Sequence, residues 1–315
     1  MNKAVVTGAL GFIGYHLCQR LLEEGVEVIG IDACIDSKRK EIQEEMLHHF
    51  GRNAQFHFIR ENLLHVRFAE FMHDVDTVFH LANSRETVRT SQHVSKKIET
   101  ALAVTNKVIE ACVDRNTAIV YTSSLEVYGN RFGKITETSP VSPETPLGLL
   151  KVADEALLSQ KTKKANIPLL IMRLPHVFGP WQHPESLFSR LILTQLKGKT
   201  ENNVELKTCP IENFMYIDDV TKALWLASNH CFTYDIYNLA SEERNQGQRV
   251  IEWLLEKPID RKWTSERMSR SFSAEKAANN LNFRASHSLE GGLHAYREHV
   301  KKMMQHHPTW FADKK

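Results

Sequence analysis

The chain has 315 residues, of which 42% are hydrophobic and 25% charged, with a formal net charge of +2. These are the proportions of a soluble globular protein with one sizeable domain or two closely joined ones. The small charge gives no reason to expect nucleic acid as a partner, and no apolar run approaches the length that spans a membrane.

The N-terminus is expected to enter a strand directly, without a signal peptide. The run Val5-Val6-Thr7 leads into Gly8, Gly11 and Gly14, and Phe12, Ile13, Leu17, Leu21 and Leu22 then follow at helical spacing. This pattern predicts a strand, a tight glycine turn and a helix start. Such a turn aims free N–H groups and the positive end of a helix dipole at one point, where a pyrophosphate can sit. A second strand, Val26–Ile31, ends at Asp32, eighteen residues after Gly14. A carboxylate at that point accepts from the adenosine ribose hydroxyls and repels the 2′-phosphate of NADP, so NAD is the expected cofactor. Lys38 and Arg39 read as the solvated start of a helix over 37–50.

Next come a short strand over Gln55–Arg60, a buried strand over Asp76–Ala82 and a long helix over 93–115. Ala118–Thr122 is another buried strand, and the proline-rich stretch 129–146 reads as a loop. Lys151–Lys164 is predicted helical and Pro168–Leu174 a strand. Strands alternating with helices predict an α/β fold, a Rossmann-type doubly wound parallel sheet. Residues 1–175 are expected to form the cofactor domain. Residues 176–315, with helices over 186–196, 220–228, 248–255 and 289–305 and a strand over 237–240, are expected to form a smaller C-terminal substrate-binding lid. Some of its elements are expected to interleave with the sheet.

Several residues invite simple explanations. The five cysteines, Cys18, Cys34, Cys112, Cys209 and Cys231, are odd in number and lack C-x-x-C spacing, which suits reduced thiols of a cytoplasmic protein. The histidine pairs at 48–49 and 306–307 lack metal-site spacing, so no metal is expected. His80 reads as a satisfied core histidine, Tyr128 as packing, Arg85 and Arg89 as solvated loop residues, and Asp218 and Asp219 as caps of the helix from Val220.

Six motifs in order carry a family resemblance: Thr7 to Gly14, Phe79-His80-Leu81-Ala82, Ser123 to Gly129, Arg173 to Pro180, Asn213 to Val220, and Tyr237-Asn238-Leu239. The chain resembles the extended short-chain dehydrogenases/reductases, above all the nucleotide-sugar 4-epimerases and dehydratases, including bacterial UDP-glucose and UDP-glucuronate epimerases of polysaccharide biosynthesis. The resemblance implies tightly held NAD, a UDP-sugar ligand, a homodimer through the two long helices, and reversible oxidation at sugar C4. It implies cofactor contacts at Gly8, Gly11, Phe12, Ile13, Gly14, Asp32, Asn62, Leu63, Leu81, Ala82 and Lys151. Ser124 matches the hydroxyl that orients the sugar, and Lys151 the lysine that lowers a tyrosine's pKa.

The family pattern expects that tyrosine four residues before the lysine, where this chain has Leu147. His176 faces the sugar in the related position and is a candidate substitute base. Other departures fall at Ala101, where the pattern has asparagine, at Glu212, where it has arginine, and at 206–209, where it has a glycine turn. Two readings follow. One is an epimerase or dehydratase with altered proton-transfer groups; the other is a non-catalytic NAD-binding homologue, a sugar-nucleotide sensor or partner subunit.

Overall fold

In the computed structural model, residues 1–34, 39–83, 91–198, 213–230, 232–256 and 270–311 are described. The apolar runs become strands that pair side by side. β1 (Lys3–Thr7), β2 (Glu27–Ile31), β3 (Phe56–Ile59), β4 (Thr77–His80), β5 (Ala118–Ser124), β7 (Leu169–Leu174) and β10 (Tyr234–Asn238) form one sheet in the order β3-β2-β1-β4-β5-β7-β10. Every pairing in it is parallel. The order reverses between β1 and β4, and in open α/β sheets ligands bind outside the carboxyl ends of the strands at that switch.

Alternation along the strands explains why both faces are covered. On β1, Ala4 and Val6 join one core while Val5 joins the other. The first core takes Leu17 and Leu21 from α1 (Phe12–Glu23), Ile42 and Met46 from α2 (Lys40–Phe50), and Val220 and Leu224 from α6 (Ile217–Ser228). The second takes Val108 and Ile109 from α3 (Ser91–Val113) and Leu158 from α4 (Pro146–Ala165). The expected doubly wound sheet is present, and its last strand, β10, comes from the segment after residue 175.

A third apolar cluster lies outside the sheet. It draws Phe188 and Ile192 from α5 (Leu187–Leu196), Val250 and Leu254 from α7 (Gln246–Leu255), and Leu293 and Tyr296 from α9 (Leu289–His306). Phe12 of α1 also belongs to it. β8 (His176–Phe178) pairs with β9 (Phe214–Tyr216), and β6 (Gly133–Ile135) pairs with β11 (Arg270–Phe272), both parallel. α8 (Glu275–Leu281) completes the elements used below. Among the described residues no helix is long and apolar enough to cross a membrane.

Four expectations need correction. The stretch 129–146 is not all loop, since β6 runs through it; its alternation is too short to read. α4 begins at Pro146 rather than Lys151, because Thr145 caps it through Gly148 N at 3.0 Å and proline suits the first helical position. The last sheet strand runs Tyr234–Asn238 rather than over 237–240. α6 is capped at Tyr216, so Asp218 and Asp219 stand inside its first turn. Asp219 is buried and instead holds a distant segment, accepting from Ser286 N, Ser286 Oγ and His287 N at 2.8–3.1 Å.

Candidate active site

The glycine turn follows β1. Gly8 has φ +72°, which favours glycine, and a Cβ there would lie 3.0 Å from Ala82 Cα. A Cβ on Gly14 would come within 2.1 Å of the Gly8 carbonyl oxygen. The turn is thus pressed against the end of β4, and α1 against the turn. Gly11 is the N-cap of α1, with no side-chain cap and no acidic residue in the first turn. The first N–H groups of the helix, on Phe12, Ile13 and Gly14, have no partner within the helix itself. With the helix dipole they make a cradle that fits a dinucleotide's pyrophosphate.

Asp32 closes β2. Its Oδ2 accepts from Leu10 N at 3.1 Å and its Oδ1 from Cys34 N at 2.9 Å. The carboxylate therefore ties two loops together and keeps lone pairs for a ribose. Arg39 corrects the sequence reading: it is buried, not solvated, and donates to the Leu10 carbonyl at 3.1 Å. Asn62 Oδ1 accepts from Leu64 N at 3.0 Å, so the side chain first builds its own turn, while Leu63 packs in the second core. Leu81 N and Ala82 N both donate to Thr7 Oγ1 at 3.2 Å, which fixes the chain leaving β4 beside the glycine turn.

Lys151 sits on α4 and is buried. Its ammonium donates to the Thr122 carbonyl at 2.6 Å and the Tyr121 hydroxyl at 3.1 Å. Burial pulls its pKa down to about 8, against the opposing pull of Asp154 and Glu155. Ser124, two residues beyond Thr122, ends β5 and caps the short turn Leu125–Tyr128, accepting from Glu126 N at 3.2 Å. It keeps a proton to donate.

Ser124 also lines a cleft of about 240 Å³, together with Glu126, Glu144, His176, Asn213 and Arg270. His176 opens β8 and lines the same cleft as the Glu126 and Glu144 carboxylates and the Arg270 guanidinium; desolvation lowers its pKa, with Glu126 pulling the other way. Glu126 accepts from the Thr145 hydroxyl. Ser124 and His176 are thus brought together, and Lys151 lies behind the strand end that carries Ser124.

Leu147 stands in the first turn of α4, 39% exposed. Neither nearby phenol replaces the expected tyrosine. Tyr121 is fully buried, donates to Asp154 Oδ2 at 2.8 Å, and has a pKa raised by that burial and carboxylate. Tyr128 donates to Asn238 Oδ1 at 2.8 Å and accepts from Arg173 at 2.6 Å, so it is more than packing. Ala101 brings no polar atom, but Thr105, one turn later, bonds Asp154 at 2.8 Å.

His80 is a satisfied core histidine, bonded on both nitrogens. Lys38, Arg85, Arg89, Glu212, the 206–209 segment, Cys209 and Cys231 lie outside the described residues. Glu126, Arg270, Tyr121 and Asp154 were not singled out by sequence reasoning. Asp154 is three residues after Lys151, the spacing of helix neighbours, and that signal could have found it.

Residues 4–240 match the model of the NAD dependent epimerase/dehydratase family. An uncharacterised UDP-glucose epimerase of Bacillus subtilis, YtcB, is 32% identical over 305 residues, covering 92% of this chain and 95% of YtcB. Human dTDP-D-glucose 4,6-dehydratase is 24% identical over 253 residues, 76% of this chain and 69% of the human protein. The crystal structure of UDP-glucuronic acid 4-epimerase from Bacillus cereus with NAD superposes with a TM-score of 0.79 at 27% identity, covering 96% of this chain and 99% of that one.

Proposed function

We propose, from the premise that the chain belongs to the NAD dependent epimerase/dehydratase family, that it oxidises and re-reduces a nucleotide sugar, a UDP-sugar in the first instance, at C4. NAD is its cofactor. When bound, it supplies the acceptor for the sugar's C4 hydride and then the donor that returns it. The turn Gly8–Gly14, with Gly11, Phe12 and Ile13, holds the pyrophosphate. Asp32 takes the adenosine ribose, Asn62 and Leu63 flank the adenine, and Leu81, Ala82 and Lys151 meet the nicotinamide end.

The observation that carries the reading is the cleft in which Ser124 and His176 stand together at the end of β5. Ser124 donates to the sugar hydroxyl and orients it. His176, kept neutral because desolvation lowers its pKa, takes the hydroxyl proton that no phenol is placed to take. Residues 1–175 then act as the cofactor domain, and most of 176–315 as the lid over the sugar nucleotide. Leu149 and Val113, about two-fifths exposed on α4 and α3, fit a homodimer built through those helices in the cytoplasm.

Incubation with UDP-glucose, UDP-glucuronate and their N-acetyl analogues tests this, with the 4-epimer or keto sugar as the expected product. His176→Ala is expected to lower the rate about a hundredfold or more. Leu147 favours a second reading, a non-catalytic NAD-holding sensor or partner subunit. Turnover that depends on Ser124 or Lys151 refutes that reading; no product from any of the four sugars refutes the first.

A further inference from the structure

The proton positions in the buried network behind Ser124 follow from counting donors. Thr7 Oγ1 accepts from two backbone N–H groups, so its own proton goes to His80 Nδ1 at 2.9 Å. Nδ1 is therefore the acceptor and Nε2 carries the proton, which is donated to Thr105 Oγ1 at 3.1 Å. Thr105 then donates to Asp154 Oδ1 at 2.8 Å, and Tyr121 donates to Oδ2 at 2.8 Å. The Tyr121 oxygen is left to accept from Lys151. The chain runs without a break from the turn at Leu81 and Ala82 to the ammonium of Lys151, and its one carboxylate is Asp154.

We propose that Asp154 is a positioning residue for Lys151: through the Tyr121 hydroxyl it fixes where the ammonium points and keeps it charged within a buried site. The proposal rests on the reading of Lys151 as the lysine that meets the cofactor. Thr7, His80, Thr105, Asp154, Tyr121 and Lys151, the members of this path, are all buried. An unpaired ammonium is costly in such a place, and the nearest opposite charge decides whether it persists.

The charged and titratable groups facing it are few. α4 contributes Asp154 and Glu155, β5 contributes Tyr121, and β4 contributes His80. Glu155 is already held by Arg173 of β7, at 2.7 and 3.0 Å, and by Ser123 at 2.5 Å. Asp154 makes no ion pair of its own among the described residues. Its two oxygens accept from Thr105 and from the hydroxyl that Lys151 uses; burial raises its pKa, and those two bonds together with Lys151 act to hold it down.

The test is a pH titration of the full chain with ¹³C-labelled lysine, followed by NMR at the Lys151 side chain, with and without added NAD. In Asp154→Asn the proton affinity of Lys151 is expected to fall at least tenfold. NAD affinity should take on a pH dependence displaced to lower pH by the same factor. A folded Asp154→Asn protein whose Lys151 titrates within twofold of the wild type overturns the proposal. Should that variant fail to fold, Tyr121→Phe carries the test, because it removes one of the two acceptors of the ammonium; an unchanged Lys151 titration there overturns it equally. A wild-type chain that binds no NAD refutes the cofactor reading, while the cofactor-free titration still decides this one.

Discussion

Leu147 precedes Lys151 by one turn of α4, yet Leu147 is 39% exposed while Lys151 is buried with its ammonium on Thr122 and Tyr121. Residues four apart share a helix face, so a phenol at 147 would sit over the lysine without displacing any core residue. Leu147→Tyr is therefore expected to fold with unchanged stability and to raise the rate of sugar oxidation by about a hundredfold or more. Product analysis of a UDP-sugar mixture checks this, with Lys151→Met in the Leu147→Tyr background expected to abolish the gain. Equal rates with leucine and tyrosine would show that position 147 does not meet the reacting hydroxyl.

Gly14 allows a second check. Any side chain there would place Cβ 2.1 Å from the Gly8 carbonyl oxygen, a contact with backbone that no rotamer relieves. Gly14→Ala is expected to push α1 off the turn, costing about 1–3 kcal/mol of stability. It should weaken NAD binding at least tenfold, read by calorimetry, because the N–H groups of Phe12 and Ile13 shift with the helix. Gly25→Ala is the control, since nothing lies within 4 Å of a Cβ there, although its φ of +78° carries some strain.

The glycine turn, Asp32 and the first six sheet strands were legible because each is a local pattern, an apolar run, a turn residue or a fixed spacing, whereas the seventh strand was placed three residues late. The burial of Arg39 was not legible, since a charged residue at a helix start reads as solvated until Leu10 is known to present its carbonyl. Asp154 was hidden for a similar reason. An acidic residue on a charged helix is indistinguishable from a surface one until α3 and β5 bring Thr105 and Tyr121 to it across sequence separations of 49 and 33 residues. The capping role given to Asp218 and Asp219 failed because backbone geometry at Tyr216 starts α6 one residue before the first of them.

Glu155 and Arg173 form a bidentate pair with both side chains buried, 9% and 5% exposed. Removing one partner leaves the other charge uncompensated in the core, which costs about 3–5 kcal/mol. Glu155→Ala is expected to lose that much, measured by urea unfolding. Replacing both residues, as in Glu155→Leu with Arg173→Met, should lose much less than the sum of the single changes. Additive losses would mean that the two groups do not depend on each other.

Buried His80 and half-buried His299 are expected to make stability fall in acid. Burial pulls His80 down to about 3, aided by the charge on Lys151, and burial pulls His299 down to about 4. Both folded values lie below the ordinary 6.5, so the unfolded chain binds more protons and stability rises with pH through that interval. The contribution is complete above about pH 6.5 and is lost as the pH falls toward 4 for His299 and 3 for His80. His299 accepts from Trp181 N at 3.2 Å, so its protonation also breaks a bond that holds the 180–181 turn against α9. His299→Gln keeps an acceptor without a titrating group. Its unfolding free energy is expected to fall less steeply than the wild type's between pH 6.5 and 4.5, while differing little at pH 7.5. Identical slopes would place the acid sensitivity at other groups, with His80 and His16, whose pKa is also lowered by burial, next in order.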